Sequence, residues 1–171
     1  MAEERLFSFQ TRLKMSKIFM IVPDNCKGCR ACERACTSFH KQELSPEKPR
    51  LTVLSGEEPK TGIPVMCMQC EKAACANVCP VGAITRDEET GAWLVNHVKC
   101  IGCKLCVNAC PFGSISYDSI SRMIYKCDLC QGDPSCAKKC HFGAITFEES
   151  DTANLYKKTA LAVRFAKPVA K

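Results

Sequence analysis

Sixteen cysteines in four tight groups constrain this chain more than any other feature. The third group reads CIGCKLCVNACP: Cys100, Cys103, Cys106 and Cys110 are separated by two, two and three residues, and Pro111 follows. This spacing wraps a [4Fe–4S] cubane. Three cysteines hold one cluster, and the fourth, a helical turn further on, reaches a second cluster where two are present. Group one repeats the spacing at Cys26, Cys29, Cys32 and Cys36, with Thr37 in the proline place. Group two, Cys67, Cys70, Cys75 and Cys79, is spaced two, four and three and precedes Pro80. Group four, Cys127, Cys130, Cys136 and Cys140, is spaced two, five and three and precedes His141. After groups two, three and four come VGAIT, FGSIS and FGAIT, each a glycine followed by a short strand. Sixteen thiols in this pattern imply four [4Fe–4S] clusters, with every cysteine an iron ligand.

Other uses of so many cysteines fit less well. Disulfide frameworks belong to small secreted domains. The opening residues MAEERLFSFQTRLKMSK interleave charges with isolated apolar side chains, without the apolar stretch or twin arginines that mark export. The longest purely apolar run, Ile18–Pro23, is far shorter than a membrane span. The expected location is the cytoplasm, with no membrane span. Zinc ribbons pair two C-x2-C knuckles across a longer segment and need no third and fourth cysteine at these spacings. Radical enzymes need C-x3-C-x2-C, which leaves one iron open; the positions that would carry the last cysteine are Phe39, Gly82, Gly113 and Gly143. Neither G-x-G-x-x-G nor G-x4-G-K-[ST] occurs. With all sixteen thiols engaged, no catalytic residue is expected, and the chain reads as a non-enzyme.

The formal charge of +6 counts the cysteines as neutral thiols. Four thiolates and one oxidised cubane carry roughly −2 together, so four clusters would bring the holoprotein to about −2. The basic count therefore carries no nucleic-acid signal. Lys27, Lys99, Lys104 and Lys126, beside or between ligands, read as compensation for cluster charge.

The rest of the pattern predicts an α+β fold of short strands and short helices, with clusters in place of a large apolar core. KIFMIV (17–22) and LTVL (51–54) read as strands, and 37–49 as a polar loop. Residues 83–98 read as a hairpin turning around Glu89, Thr90 and Gly91, and 114–126 as a second hairpin. The stretches between third and fourth cysteines suit one or two helical turns. Of the histidines His40, His97 and His141, the last follows a ligand directly; a solvent-facing role is expected for it, with a hydrogen bond to cluster sulfur as the alternative. Residues 1–16 form an N-terminal extension. The tail, 150–171, reads as a helix capped by Ser150 and Asp151 and stopped by Pro168. Leu155, Ala162, Val163 and Ala166 fall on one side of it, and Leu161 and Phe165 on another. That leaves apolar surface for another subunit or for self-association with a second copy of the chain.

The run VMCMQCEKAACANVCPVGAI, with CKGCRACERAC before it and CIGCKLCVNACPFG after it, resembles one family. It is that of the sixteen-cysteine polyferredoxin subunits of molybdenum- and tungsten-pterin oxidoreductases, which includes the iron–sulfur subunits of dimethyl sulfoxide reductase and formate dehydrogenase. The resemblance covers residues 17–149. Compact size and the lack of a span point to a soluble member, such as the ferredoxin-like subunit of a tungsten-dependent aldehyde oxidoreductase. The resemblance implies two ferredoxin-like halves, one inserted in the other. The outer half takes 17–61 plus 119–149, with groups one and four; the inserted half takes 62–118, with groups two and three. It also implies exchange of fourth cysteines. Cys26, Cys29 and Cys32 would share a cluster with Cys140, and Cys127, Cys130 and Cys136 one with Cys36. Cys67, Cys70 and Cys75 would join Cys110, and Cys100, Cys103 and Cys106 would join Cys79. Thr37 and His141 depart from the family's proline, which bears on local backbone and not on cluster number. The implied function is relay of single electrons between a large pterin catalytic subunit, facing the outer half, and a further redox subunit, flavin-bearing or other. A free-standing polyferredoxin that serves several enzymes is the alternative.

Overall fold

The computed structural model describes residues 17–41, 48–55 and 61–166. The N-terminal extension, the centre of the 37–49 loop and the side chains of Val163, Phe165 and Ala166 lie outside the described residues. Among the described residues, eight short strands form four two-stranded sheets. β1 (Lys17–Ile21) pairs with β8 (Ile145–Glu149), and β2 (Thr52–Ser55) with β3 (Gly62–Val65). β4 (Ile84–Arg86) pairs with β5 (Trp93–Val95), and β6 (Ser116–Asp118) with β7 (Met123–Tyr125). Helices α1 (Ala31–Phe39), α2 (Ala74–Asn77), α3 (Leu105–Ala109) and α4 (Ser135–Lys138) each carry the third cysteine of a group, and α5 (Ser150–Ala166) forms the tail. Among the described residues no helix is long and apolar enough to cross a membrane.

The mixed class, the strands at 17–22 and 51–54 and both hairpins agree with the sequence. β3 was not anticipated. It contains Pro64, which lies opposite Val53 in the antiparallel register. A proline is tolerated there because each strand of a two-stranded sheet has an edge that needs no N–H.

The two hairpins use one closing device. Asp87 Oδ2 accepts the Thr90 N–H at 2.8 Å and its hydroxyl at 2.5 Å. Asp118 Oδ2 accepts the Ser121 N–H at 2.7 Å and its hydroxyl at 2.8 Å. In each case a carboxylate at or just past the end of the first strand holds the turn three residues on, as Asx turns do.

The chain divides into two compact units: described residues 17–20 with 147–166, and 21–146. In the first, Phe19 packs against Phe147 with ring centroids 5.1 Å apart. The second holds all four cysteine groups. Its interior is shared between aliphatic side chains and sulfur: Cys26, Cys32, Cys36, Cys67, Cys106, Cys130 and Cys136 are buried alongside Met66, Ile124 and Ile145. Around Cys106, for example, Ile84, Ile115 and Ile124 form one buried cluster. Helix α1 packs on α4, and α2 on α3, so groups one and four adjoin, as do groups two and three.

Candidate metal centres

All sixteen cysteines are free thiols, and the four groups share one backbone turn. The residue two beyond the first cysteine is left-handed in every group: Gly28 at φ 62°, Gln69 at 48°, Gly102 at 66° and Leu129 at 61°. This conformation costs an L-residue roughly 1–2 kcal/mol. Its recurrence at Gln69 and Leu129 marks a turn imposed by the site and not by local preference.

The fourth cysteine of each group accepts a backbone N–H at its sulfur. Ala83 donates to Cys79 Sγ at 3.2 Å, Ser114 to Cys110 Sγ at 3.4 Å and Ile145 to Cys140 Sγ at 3.3 Å. These donors come from the glycine-containing turns that follow the last three groups. In group one an insertion replaces that turn, and Arg50 N donates to Cys36 Sγ at 3.2 Å instead. Such N–H groups favour the anionic, metal-binding form of sulfur.

Cys79, Cys100, Cys103 and Cys106 line one cavity, walled by Ile84, Val95 and Ile124. Elsewhere, the charge that each thiol feels identifies its neighbours. Burial pushes the Cys32 thiol up to about 11, and the charge of Cys140 adds to this. Burial takes Cys36 up to about 11 with help from Cys130, and it raises Cys136 with Cys127, Cys130 and Cys36 adding. Cys75 is raised by burial and then by Cys67 and Cys110. Cys106 reaches about 11 through burial, with Cys100 and Cys103 adding. Cys127 reaches about 12 through burial, with Cys67 adding. Burial also acts on Cys79, but the N–H groups of Ala83, Val81, Ile84 and Gly82 hold it below the ordinary thiol value. Sulfurs gathered in this way, without disulfides, suit soft metal ligation, and metal binding displaces the protons that burial keeps on them.

Residues 61–150 match the 4Fe-4S dicluster domain family, and residues 23–38 match a 4Fe-4S binding domain. The chain belongs to the 4Fe-4S dicluster ferredoxin family. Its two matched domains and sixteen cysteines fit four [4Fe–4S] clusters, and it is a polyferredoxin that transfers electrons. This ferredoxin is 41% identical over 119 residues to the polyferredoxin-like subunit of an aliphatic sulfonate oxidoreductase from Pyrococcus furiosus, covering 70% of this chain and 68% of that one. It is 42% identical over 97 residues to the electron transport protein HydN of Escherichia coli, covering 53% of each. It is 46% identical over 80 residues to formate hydrogenlyase subunit 2 of Escherichia coli, covering 47% of this chain and 37% of that one. The ferredoxin thus spans about two thirds of the Pyrococcus relative and about half or less of the other two.

Polar groups back the cysteines of this ferredoxin in ways that no motif announces. His40 Nε2 lies 4.0 Å from Cys130 Sγ and 3.5 Å from Asp128 Oδ1. Asp128 Oδ2 accepts Arg50 Nη1 at 2.5 Å, and its Oδ1 accepts the Cys130 N–H at 3.0 Å. Histidine, aspartate and arginine from distant segments therefore support Cys130 and Cys36. His141 is exposed and lines a groove between α1 and α4 with Arg34, Lys138 and Lys139, the solvent-facing role expected of it. The four lysines read as partial compensation for cluster charge differ in placement. Lys27, Lys99 and Lys104 are exposed, and Lys104 instead covers the Tyr117 ring at 4.1 Å. Only Lys126 of the four is buried; its flanking strand β7 draws it inward, whereas the others sit on solvated loops.

Proposed function

We propose that this chain is the electron-transfer subunit of a larger cytoplasmic oxidoreductase. It relays single electrons through four [4Fe–4S] clusters between a molybdenum- or tungsten-pterin catalytic subunit and a second redox subunit, and performs no substrate chemistry itself. A [4Fe–4S] cluster supplies a one-electron centre whose charge is spread over several metal and sulfide atoms.

The observation that carries this reading is the distribution of exposure. Cys29 of group one and Cys103 of group three are exposed, whereas no cysteine of groups two or four is. Sulfur most open in two groups and less open in the other two suits a wire with two terminals. The neighbour relations of the thiols support ligand sets with exchanged fourth cysteines. Cys26, Cys29 and Cys32 then act with Cys140, and Cys127, Cys130 and Cys136 with Cys36. Cys67, Cys70 and Cys75 act with Cys110, and Cys100, Cys103 and Cys106 with Cys79. Two nested halves follow, 62–118 inside 17–61 and 119–149, the outer one facing the pterin subunit. Similarity to the polyferredoxin-like subunit of an aliphatic sulfonate oxidoreductase supports membership of such a complex. The exposed Leu155, Tyr156 and Leu161 of α5 suit insertion into the catalytic subunit or a second copy of this chain.

Anaerobic purification from the native source, with metal analysis and mass spectrometry, tests the proposal. About sixteen irons and sixteen sulfides per chain are expected, four of each per cubane, together with a large co-purifying subunit that carries molybdenum or tungsten. About eight irons, stoichiometric zinc or the absence of that subunit would refute it. Cys140→Ser should disturb the cluster of Cys26, Cys29 and Cys32, not that of Cys127.

A further inference from the structure

A closed ring of hydrogen bonds joins groups two and four. Gln69 Nε2 donates to Cys127 O at 2.8 Å, and Gln69 Oε1 accepts the Trp93 N–H at 3.0 Å. The Trp93 carbonyl accepts from Lys126 Nζ, and Lys126 Nζ also donates to Cys127 O at 2.8 Å. The Trp93 indole N–H meanwhile donates to Cys70 O at 2.9 Å. Residues 58 apart in sequence are thereby fastened at one point, between a ligand loop of group two and the first ligand of group four.

Lys126 is the only buried lysine among the described residues, with 3% of its surface exposed. Its two hydrogen bonds go to neutral carbonyls, and no carboxylate pairs with it among the described residues. An ammonium ion is expensive to bury without an anion nearby. It precedes the ligand Cys127 in the chain and donates to that residue's carbonyl, and Trp93, whose carbonyl it also meets, is bonded through its indole to the carbonyl of Cys70 in group two. Out of water, a fixed charge acts with far less screening than at the surface.

We propose that Lys126 is the potential-setting charge at the junction of the two ferredoxin halves. It stabilises the added electron on the two clusters held by Cys67, Cys70 and Cys75 and by Cys127, Cys130 and Cys136. Each uptake adds one electron to a cluster, with no bond made or broken. The two inner stations of the wire thus sit at higher potential than they would without this charge. This inference rests on the four-cluster reading and its ligand sets.

The test is a potentiometric titration, followed by electron paramagnetic resonance, of the anaerobic holoprotein and three variants, with iron per chain measured first. In Lys126→Gln and Lys126→Met, two of the four one-electron equilibria should fall about tenfold, which is about 59 mV for one electron, while the other two stay in place. Lys126→Arg should stay near wild type. Unchanged potentials in both neutral variants would overturn the proposal, as would a uniform shift of all four. Loss of iron from the neutral variants would overturn it too, because the charge would then serve assembly. Iron for fewer than four clusters in the wild type would instead sink the four-cluster reading.

Discussion

Gly102→Ala tests how the cysteine turns are built. Gly102 lies between Cys100 and Cys103 at φ +66°, and a Cβ added there would stand 2.8 Å from Arg122 O and 3.7 Å from the Tyr117 ring. Two costs combine. The left-handed backbone costs an L-residue about 1–2 kcal/mol. The clash is with backbone in the tight β6–β7 turn, so relieving it costs about 1–3 kcal/mol more. Gly113 provides the control: it has φ +59°, and an added Cβ meets nothing within 4 Å. Gly113→Ala therefore bears only the first cost, about 1–2 kcal/mol, against about 2–5 kcal/mol for Gly102→Ala. The assay is guanidinium denaturation of the anaerobic holoprotein, followed by loss of visible absorbance, with iron measured per chain. Gly102→Ala should bleach at lower denaturant and lose iron from the cluster of Cys100 and Cys103. Gly113→Ala should keep its iron. Equal bleaching midpoints for the two variants would refute the role given to the Arg122 carbonyl.

Three further outcomes are expected. Arg50→Ala removes one of the two basic partners of Asp128, in a pair whose side chains are 9% and 21% exposed. It should cost about 3 kcal/mol in denaturant titrations yet leave iron content intact, because the backbone N–H to Cys36 survives. The Asp118 carboxyl is held below its ordinary range by the Ser121 N–H and hydroxyl, with Lys48 assisting. Its contribution is complete above the ordinary carboxyl range and is lost as pH falls through the depressed value. Asp118→Asn should therefore flatten the loss of stability between about pH 5 and about pH 2, measured by denaturation at a series of pH values. Trp93→Phe deletes the indole bond to Cys70 O but keeps the main-chain bonds to Gln69 and Lys126. It should cost about 1 kcal/mol in chemical denaturation.

Much of the metal chemistry is legible in the sequence because it is local. Ligand spacing, the glycine turns after Cys79, Cys110 and Cys140, and both hairpins are set within about a dozen residues, where turn chemistry dominates. What escaped is long-range. β3 is four residues with a proline, and only its partner β2 makes it a strand. His40 reaches Cys130 across 90 residues, and no periodicity marks such a meeting. The burial of Lys126 follows from Trp93 and Gln69 being brought together around it, whereas Lys99 and Lys104, equally close to ligands in sequence, remain in solvent. The left-handed Gln69 and Leu129 were invisible for another reason. Their residue types argue against that conformation, and only alignment with the glycines of groups one and three exposes it.

The N–H groups that cap the fourth cysteines also imply an order of events in time. Three of them arrive from four or five residues away, but the donor to Cys36 arrives from fourteen. Closing the longer loop costs about 1 kcal/mol more in chain entropy. The short turns shut while the rest of the chain is still loose, whereas the Cys36 sulfur waits for the segment that leads into β2. Its niche is therefore expected to seal after the other three during maturation and to reopen first to an iron chelator.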